Sequence, residues 1–272
     1  MATYPVRKLC FLIGFFGRIK NMEMKPKSLA KRILDSKKPF VFFHTCTVTK
    51  DLLQQAIDER KSMDLDVCVD DQGDPYLGHS KEYHEKSGEP YFNSMPLWEA
   101  VDLISKSNIV VMVDCKHFDA WPPIEEVVAK IGPERCLVCV YVSEFKFNYN
   151  RQEDEPDFLT EWSPIEKLRL LKGKFPSVTI TPCAKWLPND LLTSDRYKEL
   201  IKNIRQMLKD NQADTVCLGV PDKTISDKTL RYFLEKNIIL HVNIDGVDTN
   251  KLFEVYIGET DDLWRASKSI FL

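Results

Sequence analysis

Residues 63–69 read MDLDVCV, and residues 108–116 read NIVVMVDCK. Each is a short run almost continuous in apolar residues and interrupted only by acids. Such runs are typical of strands buried on both faces, as in a parallel sheet. Five more runs share the character: PFVFFH (39–44), CLVCVYV (136–142), SVTITP (177–182), DTVCLGV (214–220) and NIILHVNI (237–244). Helical candidates lie between them: LLQQAIDER, PLWEAVDLIS, PIEEVVAKI, PIEKLRLLKGK, RYKELIKNIRQMLKD and DKTLRYFLEK. Strand and helix in alternation give βαβ units. An eighth strand is available in FEVYI (253–257) or in the early LCFLIGF run. Over 272 residues this predicts an α/β protein with a TIM-type (β/α)8 barrel, distorted or incomplete; the alternative is an open doubly wound sheet. The chain reads as a single barrel domain, 1–272, in which 1–37 is an N-terminal extension or a cover for one barrel end. The least regular stretches, 71–95 and 144–162, both follow strands. In a barrel they therefore lie at the C-terminal face, where active sites are built.

Composition narrows the classes. Hydrophobic residues make up 43% and charged residues 29%, which is globular rather than disordered. The net charge of −3 supplies no broad field for nucleic acid. The run LCFLIGFFG is too short to span a bilayer and lacks a small-residue cleavage site, so neither a transmembrane span nor a signal peptide is expected. Contact with a membrane surface through residues 9–17 is the weaker reading of that run. Of the eight cysteines, most sit in apolar runs and read as buried thiols in a cytoplasmic or otherwise reducing compartment. Cys136 and Cys139 have CxxC spacing, but no second pair stands at metal-ligand spacing, so zinc is the lesser reading.

The chemistry concentrates at strand ends. Asp64 and Asp66, at i and i+2 on a strand, share a face. Inside a barrel, two acids aimed the same way are costly unless paired or metal-bound. Asp114 closes another apolar run. Three carboxylates at one barrel mouth make an oxygen site for a hard cation such as Mg²⁺ or Ca²⁺. Lys116, i+2 from Asp114, reads as a phosphate clamp or as an ion-pair partner of Asp114. His44 ends the first run and His79 follows the DLD strand. Two imidazoles flanking a bound phosphate suit an acid/base or nucleophile/acid pair for phosphodiester cleavage. His84 and His117 are secondary, and His241 lines the mouth from a late strand.

In this order the motifs resemble the glycerophosphodiester phosphodiesterase superfamily, including the sphingomyelinase-D-like phospholipases. The resemblance is specific between residues 40 and 117. His44 matches the family's first histidine, Asp64 and Asp66 its acid-x-acid pair, His79 its second histidine, and Asp114 with Lys116 its acid-x-lysine. HVNI resembles a later aromatic-x-valine-asparagine strand, with His241 in the aromatic's place. The resemblance implies a barrel, one divalent cation and cleavage of a glycerol- or lipid-linked phosphodiester, by hydrolysis or by transfer to the substrate's own hydroxyl with release of a cyclic phosphate. The chain departs from the family at three points. Thr45 stands where the hydrolases place arginine, Ser80 where they place aspartate, and Asp64 where glutamate is usual, so that this carboxylate reaches less far. These departures motivate the alternative of a non-catalytic descendant that binds a phospho-ligand or a partner protein. A Schiff-base aldolase using Lys116 would leave the acid pair and His79 without a purpose. Tyr76, Tyr91 and Trp186 are aromatic candidates for an alcohol pocket, with packing the plainer role for each.

Overall fold

Strand and helix alternate along the chain in a computed structural model that describes residues 27–45, 47–79, 95–116, 121–141, 164–184, 214–218, 238–244 and 256–269, with a few single positions between. The order is α1 (Leu29–Ser36), β1 (Phe40–Phe43), α2 (Lys50–Asp58), β2 (Met63–Val69), β3 (Pro75–Leu77), α3 (Leu97–Ser105), β4 (Val111–Cys115), α4 (Trp121–Ile131), β5 (Cys136–Tyr141), α5 (Pro164–Lys174), β6 (Thr179–Ala184), β7 (Val216–Leu218), β8 (Leu240–Asn243) and β9 (Ile257–Thr260). The stretches RYKELIKNIRQMLKD and DKTLRYFLEK, the LCFLIGF run and residues 144–162 lie wholly or largely outside the described residues.

The strands form one nine-stranded sheet in the order β1-β9-β8-β7-β6-β5-β4-β2-β3. It closes on itself where β1 meets β2 in parallel at Phe43 and Met63. Apart from the antiparallel β3, every neighbour runs parallel, so the sheet is a distorted β/α barrel rather than an open doubly wound sheet. The distortion has a visible cause. β3 folds back along the C-terminal part of β2, pairing Val67, Cys68 and Val69 with Leu77, Tyr76 and Pro75. That edge of β2 is then closed to β1, whose contact with β2 is confined to one pair. The turn between β2 and β3 is tied by Asp70, whose Oδ1 accepts from the backbone N–H groups of Gln72 and Asp74. The stretch 71–95, expected as loop, thus contains a strand.

Alternation along the strands splits the interior in two. Val41, Phe43, Met63, Leu65, Val67, Val111, Val113, Val138 and Val140 pack outward against Leu53 and Ala56 of α2, Leu97, Val101 and Ile104 of α3, and Val127 and Val128 of α4. The opposite parity points inward, where Phe40, Phe42, Met112, Leu137, Cys139 and Ile257 meet Leu29, Ala30 and Ile33 of α1. The Ala30 amide also donates to Thr179 Oγ1 at 3.0 Å. Burying Leu29 and Ile33 contributes roughly 1.5–3 kcal/mol each. That holds in place a helix of 8 residues too short to persist alone. The N-terminal end of the barrel is therefore apolar and filled, which leaves the polar inward residues to the C-terminal end.

The eighth parallel strand begins at Ile257, the last residue of the expected FEVYI run, and continues through Gly258, Glu259 and Thr260. Gly258 explains the shift. A Cβ there would stand 2.9 Å from Tyr256 Cε2 and 3.1 Å from Ile244 Cγ2. Packing demands a residue of poor strand propensity at this point, and the sequence signal fades accordingly.

Cys136 packs with the outward cluster and Cys139 with the inward one. Three residues apart on a strand, they face opposite ways, which removes the shared zinc site. Cys68, Cys115, Cys136 and Cys139 are all free and buried. Burial first, and then the charge of Asp66, push the Cys68 thiol up to about 12. Burial also raises Cys136. The thiolate is the reactive form, so both cysteines are expected to resist iodoacetamide in the native protein at neutral pH and to react after unfolding. Mass spectrometry reads this directly; prompt native labelling of either would contradict their placement. Among the described residues, no helix is long and apolar enough to cross a membrane.

Candidate metal and phosphate site

All six residues singled out in the sequence converge inside the C-terminal end of the barrel. Asp64 and Asp66 point inward from β2, and Asp114 from β4, where it stands in register with Asp66. Lys116 follows β4, and its amide donates to the Val67 carbonyl at 3.0 Å. His44 follows β1, its amide bound to the Thr260 carbonyl at 2.8 Å. His79 follows β3. Gly78 before it adopts φ +144°, a value that favours glycine, and its amide donates to the Asp66 carbonyl at 2.9 Å. Tyr76 does not offer its hydroxyl to an alcohol pocket: that group donates to the His79 carbonyl at 3.0 Å. Ser80, His84, Tyr91, His117 and Trp186 lie outside the described residues.

Asp66 is the hub. Its Oδ2 lies 2.5 Å from His79 Nε2 and 3.5 Å from His44 Nε2, and its Oδ1 lies 3.1 Å from Lys116 Nζ. Lys116 also reaches Asp114 Oδ2 at 2.6 Å, so the clamp and ion-pair readings of this lysine meet in one geometry. Burial alone would raise Asp66, but Lys116, His44 and His79 outweigh it and hold its carboxyl well below the usual carboxylate range. The two imidazoles stand edge to face, their ring centroids 6.4 Å apart.

His241 of β8, Glu259 of β9 and Asp261 just after β9 complete the cluster without having been singled out as a group by sequence. Asp261 Oδ1 is 2.9 Å from His44 Nδ1, which turns Nε2 towards the centre. Glu259 lies 3.1 Å from His241 Nε2 through Oε2 and 3.9 Å from His44 Nε2 through Oε1. His241 is indeed directed inward, and it is 1% exposed. For His44, burial disfavours the charged ring, yet the bonds to Asp261 and Asp66 and the charges of Asp66 and Asp64 prevail and raise its pKa. Asp64 is likewise shifted upward, well above the ordinary carboxyl value, by burial, Glu259 and Asp66. Burial acts on Glu259 in the same sense, but His241 overcomes it and keeps the carboxyl low. The signal that could have found Glu259 and Asp261 is their own acid-x-acid spacing, which repeats that of β2.

The donor set fits a divalent cation. Asp64 is 0% exposed, and neither of its oxygens has a hydrogen-bond donor among the described residues. A buried carboxylate without a donor costs several kcal/mol, a penalty that a bound ion would remove. Oxygens of Asp64, Asp66 and Asp114 lie within 4.8 Å of one another. One ion at bond lengths of about 2.1–2.6 Å spans such a set.

No family sequence model matches the chain, and no curated protein is similar to it in sequence. Solved structures are similar in fold. A glycerophosphoryl diester phosphodiesterase from Parabacteroides distasonis superposes with TM-score 0.54 at 10% identity, covering 90% of this chain and 92% of its own. A Galdieria sulphuraria protein assigned as a glycerophosphodiester phosphodiesterase gives TM-score 0.53 at 14% identity, covering 84% of this chain and 96% of its own. The glycerophosphodiester phosphodiesterase of Agrobacterium tumefaciens gives 0.50 at 12%, covering 85% and 99%. The chain has the barrel fold seen in these glycerophosphodiester phosphodiesterases.

Proposed function

We propose that the chain is a divergent member of that superfamily and an enzyme that cleaves a glycerol- or lipid-linked phosphodiester. The observation that carries this is the approach of two imidazoles, His44 and His79, to one oxygen of a buried carboxylate, beside three acids spaced for a cation and a lysine. An acid/base pair set around a charged centre is what cleavage of a phosphodiester needs.

Asp64, Asp66 and Asp114 would hold the cation, Mg²⁺ or Ca²⁺, which supplies charge neutralisation at the phosphate as negative charge builds on its oxygens. Asp261 fixes the His44 ring through Nδ1 and leaves Nε2 to attack phosphorus or to take a proton from the attacking hydroxyl. His79, steadied by the Tyr76 bond to its carbonyl, delivers a proton to the departing alkoxide. Lys116 contributes a positive charge to the phosphate, in place of the arginine absent at Thr45. The high pKa of His44 belongs to a centre crowded with negative carboxylates; once those charges are neutralised, the ring loses the field that holds its proton and becomes competent as a base.

The decisive assay is a panel of glycerophosphodiesters, lysophospholipids and sphingomyelin with added Mg²⁺ or Ca²⁺, read by phosphorus NMR. A new phosphomonoester supports hydrolysis, and a persistent cyclic phosphate supports intramolecular transfer. Calorimetric titration with both ions accompanies it. Absence of any heat of binding at millimolar metal would sink the enzymatic reading and favour the non-catalytic one.

A further inference from the structure

The charges around the four inward carboxylates are unevenly balanced. Asp66 faces three groups able to carry positive charge, at 2.5, 3.1 and 3.5 Å. Asp114 has Lys116 at 2.6 Å. On the other side of the centre, Glu259 stands close enough to Asp64 to raise the cost of ionising it. Asp64 has no donor among the described residues. Glu259 has His241 on Oε2, while its Oε1 faces His44 only from 3.9 Å. Two carboxylates side by side, with Asp64 fully buried, need a shared proton or a cation between them. Asp64 points inward from β2 and Glu259 from β9, the two strands that flank β1.

Reach points the same way. Asp64 has a short side chain, and Glu259 comes from the opposite wall with one that is a methylene longer. A donor from each of Asp64, Glu259 and His44 lies within 4.8 Å of the others.

We infer that Glu259 is a further ligand of the divalent cation, reaching it beside Asp64 from the wall formed by β9. This rests on the reading that the barrel mouth takes such an ion.

The test is calorimetric titration of Mn²⁺ and Mg²⁺ into the full-length wild type and into Glu259→Gln, Glu259→Asp and Asp114→Asn, with melting temperature recorded with and without metal. Loss of a ligand is expected to weaken binding by at least the roughly 10–100-fold seen when a supporting residue is lost. Glu259→Gln should show that loss and forfeit most of the metal-induced rise in melting temperature. It should melt no lower than wild type without metal, because it removes one of two adjacent carboxylates. Glu259→Asp keeps the charge but shortens the reach, and is expected to fall between them. Asp114→Asn, which removes a ligand of the underlying reading, should weaken binding as well and serves as the reference for the size of that loss. Wild-type-like binding by Glu259→Gln or Glu259→Asp would overturn this inference alone. A wild type that binds neither ion would overturn it together with the reading beneath it.

Discussion

His79→Ala is expected to lower turnover by about 10²–10⁴-fold, the usual contribution of a positioned acid or base. His44→Ala should lose at least as much if its Nε2 is the nucleophile. Both variants should remain folded. His44 and His79 are only 17% and 12% exposed in their side chains, but each leaves Asp66 with Lys116 and the other imidazole. Because the two rings act on one phosphate, the double variant should cost little more than the worse single one, the non-additivity shown by groups that work as a unit. Steady-state rates on the best substrate of the panel, with melting curves as the control for folding, check this. Either variant retaining most of its activity with an unchanged melting curve would remove that histidine from the mechanism.

Lys116→Met has the larger effect on stability. Lys116 Nζ sits between Asp114 and Asp66, with its side chain 14% exposed. Removing one partner of a buried pair leaves uncompensated charge and costs about 3–5 kcal/mol. The loss falls mainly on Asp114, since His44 and His79 still face Asp66. The pH dependence has a definite sign. Asp66 in the wild type is held below its unfolded value, so its contribution is present above the unfolded pKa and is lost as pH falls through the folded one. Without Lys116, whose charge is the largest influence lowering Asp66, that depression shrinks. The variant's deficit is therefore greatest near neutrality and narrows towards acid. Urea denaturation at pH 5 and pH 7 reads it, and Mg²⁺ or Ca²⁺ should restore part of the pH 7 loss. Equal stability of variant and wild type at pH 7 would show that the pair is energetically idle.

Much of this was legible in the residues alone. MDLDVCV gave the bounds of β2 and the shared face of its acids, because a strand buried on both sides leaves no room for an unexplained carboxylate. The apolar runs before His44 and Asp114 ended where strands end. β9 was harder. Its sequence, IGET, contains a glycine demanded by the packing of Tyr256 and Ile244, and its acids resemble those of a surface turn. Only tertiary pairing with Phe40, Val41, Phe42 and Phe43 of β1 makes it a strand and turns Glu259 inward. β3 was missed for a related reason. Three residues beginning with proline carry little strand signal, and the antiparallel return along β2 comes from the turn at Asp70 rather than from periodicity.

The single pairing between β1 and β2 has a mechanical consequence. His44 belongs to the wall formed by β1 and β9, while Asp64 and Asp66 belong to the wall formed by β2 and β4. Below, the walls are pinned by the Phe43 amide to the Ser62 carbonyl at 2.8 Å. Above, β3 holds the edge of β2, and the chain leaving β1 returns to it through the bridge between Thr47 and Gly78. The two walls are thus joined by backbone at the apolar floor and again at the rim, like a window frame fastened at sill and lintel. The charged groups of the site face one another across the opening between those two fastenings.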